Sequence, residues 1–236
     1  MPEVVVPESP SLVLVGAGGF GRETLEVVRA INADKPRWLL EGFLDDSRDL
    51  RGSEVEGVPV LGPSEAVERY PTTSVVVCTG SPANYFSRKR LVGRLALAPD
   101  RYATLVHPAA SIAPLTTLGR GTVALASVVS TASARIGAHV SMMPGVVLTH
   151  DDVVGDFVTL ASGVRLAGRV TVGEGAYLGA GCLVKEDVSV GPWALIGMGA
   201  VVLDDVGPGE VWTGVPARHR RSLDLPPDIL DRASIP

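Results

Sequence analysis

The sequence predicts a protein of the α/β + β class, a small Rossmann-like domain followed by a parallel β-helix of six-residue repeats. Three observations predict it. The first hundred residues alternate short apolar runs with helix-like segments, the rhythm of βαβ units around a parallel sheet. From Ile112 onward an apolar residue returns every sixth position. The composition holds 27 glycines and only 5% aromatics, which suits a core of small and β-branched side chains with tight corners.

In the first part, LVLV (12–15) reads as a buried strand and RETLEVVRAIN (22–32) as a helix with Leu25, Val28 and Ile31 on one face. WLLEGFLDD (38–46) reads as a second strand and VPVLG (58–62) as a short apolar one. PSEAVERY (63–70) looks like a helix start with Ser64 as N-cap. SVVVCTG (74–80) is a further buried strand, followed by a basic helix over 87–97.

The second part counts in sixes: Ile112, Leu118, Ala124, Ser130, Ile136, Met142, Leu148, Val154 and on through Val202, all but Ser130 apolar. The next residue is often Gly or Ala, as at Gly119, Gly137, Gly155 and Gly173, and the fourth residue on is small or Val. Coupled columns of this kind make a β-helix, with one aliphatic and one small residue facing inward per short strand. Three hexads close a triangular coil, so sixteen give about five coils, stacked roughly 4.8 Å apart. The domains expected are 1–106, 107–221 and a tail, 222–236.

The stretch VVLTHDDVVGDF (146–157) breaks this pattern. His150 stands two residues past the inward Leu148, at a corner and pointing outward, and Asp152 falls in the small inward column. Breaks in a strong pattern are where function is expected. One coil on stands Gly168, leaving open space above the imidazole. A neutral imidazole beside a carboxylate suits general-base work; a solvated His-Asp turn is the alternative. A metal site would need further ligands, and His107 and His139 lie on other phases or outside the repeat. His139 reads as a surface corner residue, His107 as the approach to the first coil and Cys182 as inward packing. Trp193 and Trp212 have no assigned role; capping is the favoured reading, and cover over a ligand is the alternative for one of them.

GAGGFGRE (16–23) follows a strand and opens a helix, with Gly16, Gly18 and Gly21 in GxGxxG spacing. Such glycines let backbone N–H groups approach a phosphate at a helix N-terminus. Asp45 and Asp46 close the second strand, at the distance where such folds hold a ribose hydroxyl. Only about a hundred residues precede the repeats, one mononucleotide half. A nucleotide, such as that of a sugar donor, fits better than NAD.

The net charge of −5 argues against a general nucleic-acid or membrane-surface role. Cys78 and Cys182 are too few for a disulfide framework. No apolar run reaches the ~20 residues that span a bilayer, and MPEVVVPESPS lacks the features of a signal peptide. The expectation is a cytoplasmic protein without membrane insertion.

Together GAGGFGRE, FLDD, SVVVCTG, THDDVVGDF and the closing GVPAR (214–218) resemble the sialic-acid O-acetyltransferase / bacillosamine N-acetyltransferase family of hexapeptide-repeat acyltransferases. The resemblance runs from about residue 11 to 221. It implies a left-handed β-helix assembled as a homotrimer. It also implies a nucleotide-linked amino sugar on the α/β domain and acetyl-CoA, as co-substrate, in a groove between neighbouring β-helices. No metal is expected. By the resemblance His150 is the catalytic base and Asp151 the acid that raises its basicity. Gly18, Gly19, Phe20, Asp45, Asp46 and Gly80 fall on the nucleotide-sugar site, and Thr159, Gly168 and Ala180 on the acetyl-CoA groove. Independently of the resemblance, Arg218, Arg220 and Arg221 are candidates for contact with CoA phosphates, with a solvated basic tail as the alternative.

The chain departs from the family at Met143, where Asn is common, at Thr159, where His is common, and at Phe20, where one form has His. These departures bear on the acceptor: N- or O-acylation stays open, as does a non-nucleotide acceptor. A non-catalytic nucleotide-sugar-binding trimer, a sugar-nucleotide transferase and an NAD-dependent oxidoreductase are the competing readings.

Overall fold

The computed structural model describes residues 9–230. The first eight residues, which hold most of the MPEVVVPESPS stretch, and the last six residues of the tail lie outside that range.

The N-terminal sheet is built from β1 (Ser11–Val15), β2 (Leu39–Leu44), β3 (Glu54–Val55), β4 (Val58–Gly62) and β5 (Ser74–Val77), in the order β3-β4-β2-β1-β5. All pairs are parallel except the β3–β4 hairpin. Two helices, α1 (Gly19–Asp34) and α2 (Ser87–Leu95), flank it. Strands β1 and β5 are near-continuous apolar runs because the sheet is covered: Leu12, Val13, Leu14, Val75 and Val76 are fully buried. The segment expected as a helix over 63–70 is a 3₁₀ helix, Ser64–Arg69, whose N-cap is Pro63. Ser64 does not cap it; its Oγ donates to Asp46 Oδ1 at 2.7 Å. The same Oδ1 accepts the Ser64 N–H at 2.8 Å, so the carboxylate just past β2 serves the start of this helix.

From Tyr102, bridged in parallel to Val75, the chain runs straight into the β-helix, which pairs from Leu105–Val106 onward. Three parallel ladders form its faces. Their register is eighteen residues, as in Val129↔Val147↔Arg165↔Leu183↔Val201. The two inward columns pack as one core from Ala124 to Val202, with Met142, Leu148, Leu160, Leu166 and Leu178 essentially without solvent contact.

The hexad has a further column. The third residue after each inward aliphatic turns the corner with left-handed backbone, from Gly121 (φ +71°) to Gly199 (φ +66°). Glycine fills six of these positions, while Ser127, Ser133, His139, Asp151, Phe157, Arg169, Asp187 and Trp193 adopt the same conformation. Each non-glycine residue there costs about 1 kcal/mol, held in place by the ladders on both sides.

One corner column, Gly121–His139–Phe157–Gly175–Trp193, faces the N-terminal domain. The imidazole of His139 stacks on Phe157 (5.1 Å, 5°) and meets Tyr102 edge-on at 4.6 Å. Trp193 packs against Phe86 at 5.3 Å, and its carbonyl accepts from Tyr85 Oη at 2.9 Å. His139 is therefore not a surface residue; it is 5% exposed, and burial with the nearby Arg88 cation lowers its pKa to about 4. Nor does Trp193 cap the helix, being buried between the domains. Trp212 does lie at the closing end, its Nε1 donating to Glu210 at 2.8 Å. The tail returns to α2: Arg90 pairs with Asp228 at 2.7 Å, and Lys89 bonds Glu174 and the Ile229 carbonyl, both at 2.9 Å.

Candidate active site

The glycine loop runs from the end of β1 into the N-terminus of α1, and its glycines do different work. Gly16 has φ +107°, and a side chain there would meet the Cys78 carbonyl at 2.8 Å. A Cβ on Gly21 would overlap the Gly16 carbonyl. Those two glycines let loop, strand and helix pack. Gly18 and Gly19 are exposed, and a Cβ on either would meet nothing within 4 Å. No neighbouring protein atom requires glycine there, so their bare backbone is available to a ligand at the positive end of a sixteen-residue helix.

Asp45 Oδ2 accepts the Ala17 N–H at 2.7 Å and its Oδ1 accepts Ser47 N–H at 2.8 Å, so its carboxylate ties β2 to the loop. With Gly16, Gly18 and Asn84 it lines a groove of about 320 Å³. Asp46 is elsewhere engaged: it holds Ser64 and pairs with Arg94 at 2.6 Å, which keeps its pKa below the usual carboxylate range although burial opposes this. The structure brings Asp45, but not Asp46, to the groove under the glycine loop.

Gly19, Phe20, Gly80 and Ser81 line that groove and also an adjoining cleft of about 310 Å³ between the two domains. The β-helix supplies the opposite wall through Ser141, Met143, Thr159, Tyr177 and Ala180. Expected residues for the sugar and for acetyl-CoA thus meet in one cleft, and Met143 lines it. Sequence reasoning passed over the floor of this cleft. Arg88, read only as part of a basic helix, is 2% exposed. It bonds the carbonyls of Thr79 (3.2 Å), Phe157 (3.0 Å) and Val158 (3.2 Å), Thr159 Oγ1 (2.8 Å) and Ser141 Oγ. No sequence period marks Arg88, because its partners lie 53 or more residues away apart from Thr79.

His150 ends the strand Val147–His150, and Asp151 makes the left-handed corner (φ +63°). The corner turns the carboxylate back on the ring, with Nδ1 3.0 Å from Asp151 Oδ2. The two side chains are 52% and 60% exposed. With Nδ1–H given to the carboxylate, Nε2 carries the free lone pair. A Cβ on Gly168, one coil on, would overlap Nε2 and Cε1, so the imidazole lies over the glycine. Beneath the corner Asp152 is wholly buried, its carboxylate accepting Thr149 N–H (2.8 Å) and Val170 N–H (2.9 Å). Burial raises its pKa to about 6 against those two bonds and the His150 charge.

His150 and Gly168 lie at a different corner of the prism from the cleft and line neither it nor the groove. The Arg169–Asp187 pair (2.6 and 2.7 Å) continues the His150 corner column. Among the described residues no group of three His, Cys, Asp or Glu is placed to hold a metal, and no helix is long and apolar enough to cross a membrane. Cys78 and Cys182 are free and buried, their thiols pushed up to about 12 by desolvation.

The comparisons agree with this architecture. Residues 11–95 match the PglD N-terminal domain. The UDP-N-acetylbacillosamine N-acetyltransferase of Bacillus subtilis is 32% identical over 118 residues, 49% of this chain and 51% of that protein, so the match spans about half the relative's length. The acetyltransferase domain of PglB from Neisseria gonorrhoeae, solved alone and with acetyl coenzyme A, superposes with a TM-score of 0.80. It is 27% identical, over 90% of this chain and all of that one. PerB from Caulobacter crescentus, solved with CoA and GDP-perosamine, gives 0.78 at 28% identity over 89% of this chain and 97% of its own. Residues 11–95 thus match the PglD N-terminal domain, and along about nine-tenths of its length the chain is similar in sequence and fold to the acetyltransferase domain of PglB and to PerB.

Proposed function

We propose that this protein is an acetyl-CoA-dependent acetyltransferase acting on the amino group of a nucleotide-linked sugar, with His150 as general base. The observation that carries the reading is the His150–Asp151 pair, with Nδ1 held by the carboxylate and Nε2 lying over the bare backbone of Gly168. PerB, a relative of the same fold, was solved with CoA and GDP-perosamine, which supports both substrate classes.

In this reading the sugar nucleotide lies along the groove, its phosphates against the bare backbone of Gly18 and Gly19 and its sugar reaching the cleft past Phe20 and Gly80. Asp45 fixes the loop that holds it. Acetyl-CoA lies against the β-helix near Thr159, Gly168 and Ala180. As the sugar amine attacks the thioester carbonyl, Nε2 of His150 takes its proton. Asp151 accepts the Nδ1–H bond and stabilises the imidazolium. The tetrahedral intermediate collapses with loss of the CoA thiolate, and no covalent enzyme intermediate is needed. Because His150 stands one face of the prism away from the chain's own cleft, the site is completed by a second copy, in the trimer expected from the resemblance.

The test is thiol release from acetyl-CoA with a panel of nucleotide-linked amino sugars, wild type beside His150→Ala. Release with one sugar, lost in the variant at unchanged melting temperature, supports the reading. Equal release by both forms removes His150 as the base.

A further inference from the structure

Arg88 is a buried guanidinium with no carboxylate within ion-pairing distance among the described residues; its bonds go to three carbonyls and two hydroxyls. Burial lowers its pKa to about 10, which leaves it charged at neutral pH. A guanidinium has donors and no acceptor, so Ser141 Oγ and Thr159 Oγ1 must each offer it a lone pair. Each hydroxyl then keeps its proton for another partner, and among the described residues neither donates to a protein acceptor. Both line the interdomain cleft. The one acid on that cleft is Glu23, whose pKa burial raises.

We propose that Arg88 sets the hydroxyls of Ser141 and Thr159 as hydrogen-bond donors into the cleft, where they bind an acceptor oxygen of the ligand, a carbonyl or phosphate oxygen. The charge behind the hydroxyls strengthens both bonds. An ammonium group in that position would meet two donors and an uncompensated cation, so the floor selects against it. Arg88 is a positioning residue in this arrangement, acting through the hydroxyls. The proposal deepens the acetyl-transfer reading and rests on it only for which substrate oxygen is held. The shared chemistry has two sources, the thioester carbonyl and a nucleotide phosphate.

Calorimetric titration separates them, using wild type, Thr159→Val and Thr159→Ser with acetyl-CoA, CoA, UDP or GDP, and the matching nucleosides. Thr159→Val keeps the shape and removes the hydroxyl; Thr159→Ser keeps the hydroxyl and restores binding. A loss of about tenfold for acetyl-CoA but not CoA identifies the thioester carbonyl, and the same loss for the nucleotide but not its nucleoside identifies a phosphate. Equal affinities of wild type and Thr159→Val for every probe, or equal losses in the Val and Ser variants, overturn the proposal. A wild type that binds these probes yet releases no thiol with any acceptor removes the acetyl-transfer reading and leaves this one standing. A wild type that binds none of them removes both.

Discussion

The His150 imidazole and Gly168 are one coil apart, and any side chain on Gly168 would occupy the space of Nε2. Gly168 is not among the left-handed glycines, so its backbone accepts alanine; what it supplies is room. Gly168→Ala should therefore keep the fold and melting temperature. Turnover should fall roughly 10²–10³-fold as the ring is pushed from its position. Normal turnover in Gly168→Ala would mean that the imidazole does not act from this position.

Asp151 holds Nδ1 at 3.0 Å through a corner that needs φ +63°. Asp151→Asn keeps the corner, since asparagine tolerates left-handed backbone, but removes the charge facing the ring. Turnover should drop at least tenfold with little change in KM for acetyl-CoA. A change in KM alone would assign Asp151 to binding.

Asp152 makes stability depend on pH. Its pKa is raised from 3.8 to about 6 by burial. Its contribution is thus fully present below the unfolded value and lost as pH rises through 6. In Asp152→Asn that part of the profile should flatten. The wild-type minus variant difference should decline between pH 4 and 6 by about 2–3 kcal/mol. Chemical denaturation across that range reads it, and a difference independent of pH would contradict it.

His139 acts in the opposite sense. Its pKa is lowered to about 4 by burial between Tyr102 and Phe157 and by the Arg88 cation. The stability it contributes is present above its unfolded value near 6.5 and lost as pH falls through 4. Phenylalanine already fills the same corner column one coil on, at Phe157. His139→Phe should therefore fold and lose less stability than wild type between pH 6.5 and 4. Parallel acid melts of the two proteins would refute this.

Both cysteines, buried and with thiols near 12, should resist alkylation at pH 8 until the protein unfolds. Labelling of either in the native protein would show that the surrounding core opens.

The six-residue rhythm is local. Each coil repeats the same inward aliphatic and small residues, and neighbouring coils stack whatever lies outside, so the sequence by itself determined the β-helix, its eighteen-residue register and the place of Cys182 in the core. It also determined the corner at His150, because Asp152 interrupts a column that is otherwise small or apolar. The glycine loop was legible for a similar reason: strand, turn and helix are contiguous. The left-handed column was hidden, since backbone conformation and not residue type defines it.

Only the tertiary structure decided which corner is covered. Asp151 and His139 occupy the same hexad position, yet one is exposed and the other buried, because α2 and Tyr102 pack on one corner and leave the other to solvent. The same docking buries Trp193 and carries Arg88 under Ser141 and Thr159. Those contacts join residues far apart in the chain, and no periodicity encodes them. Their physical cause is the burial of two apolar surfaces against each other, which fixes the polar groups at the seam and, with them, the cleft.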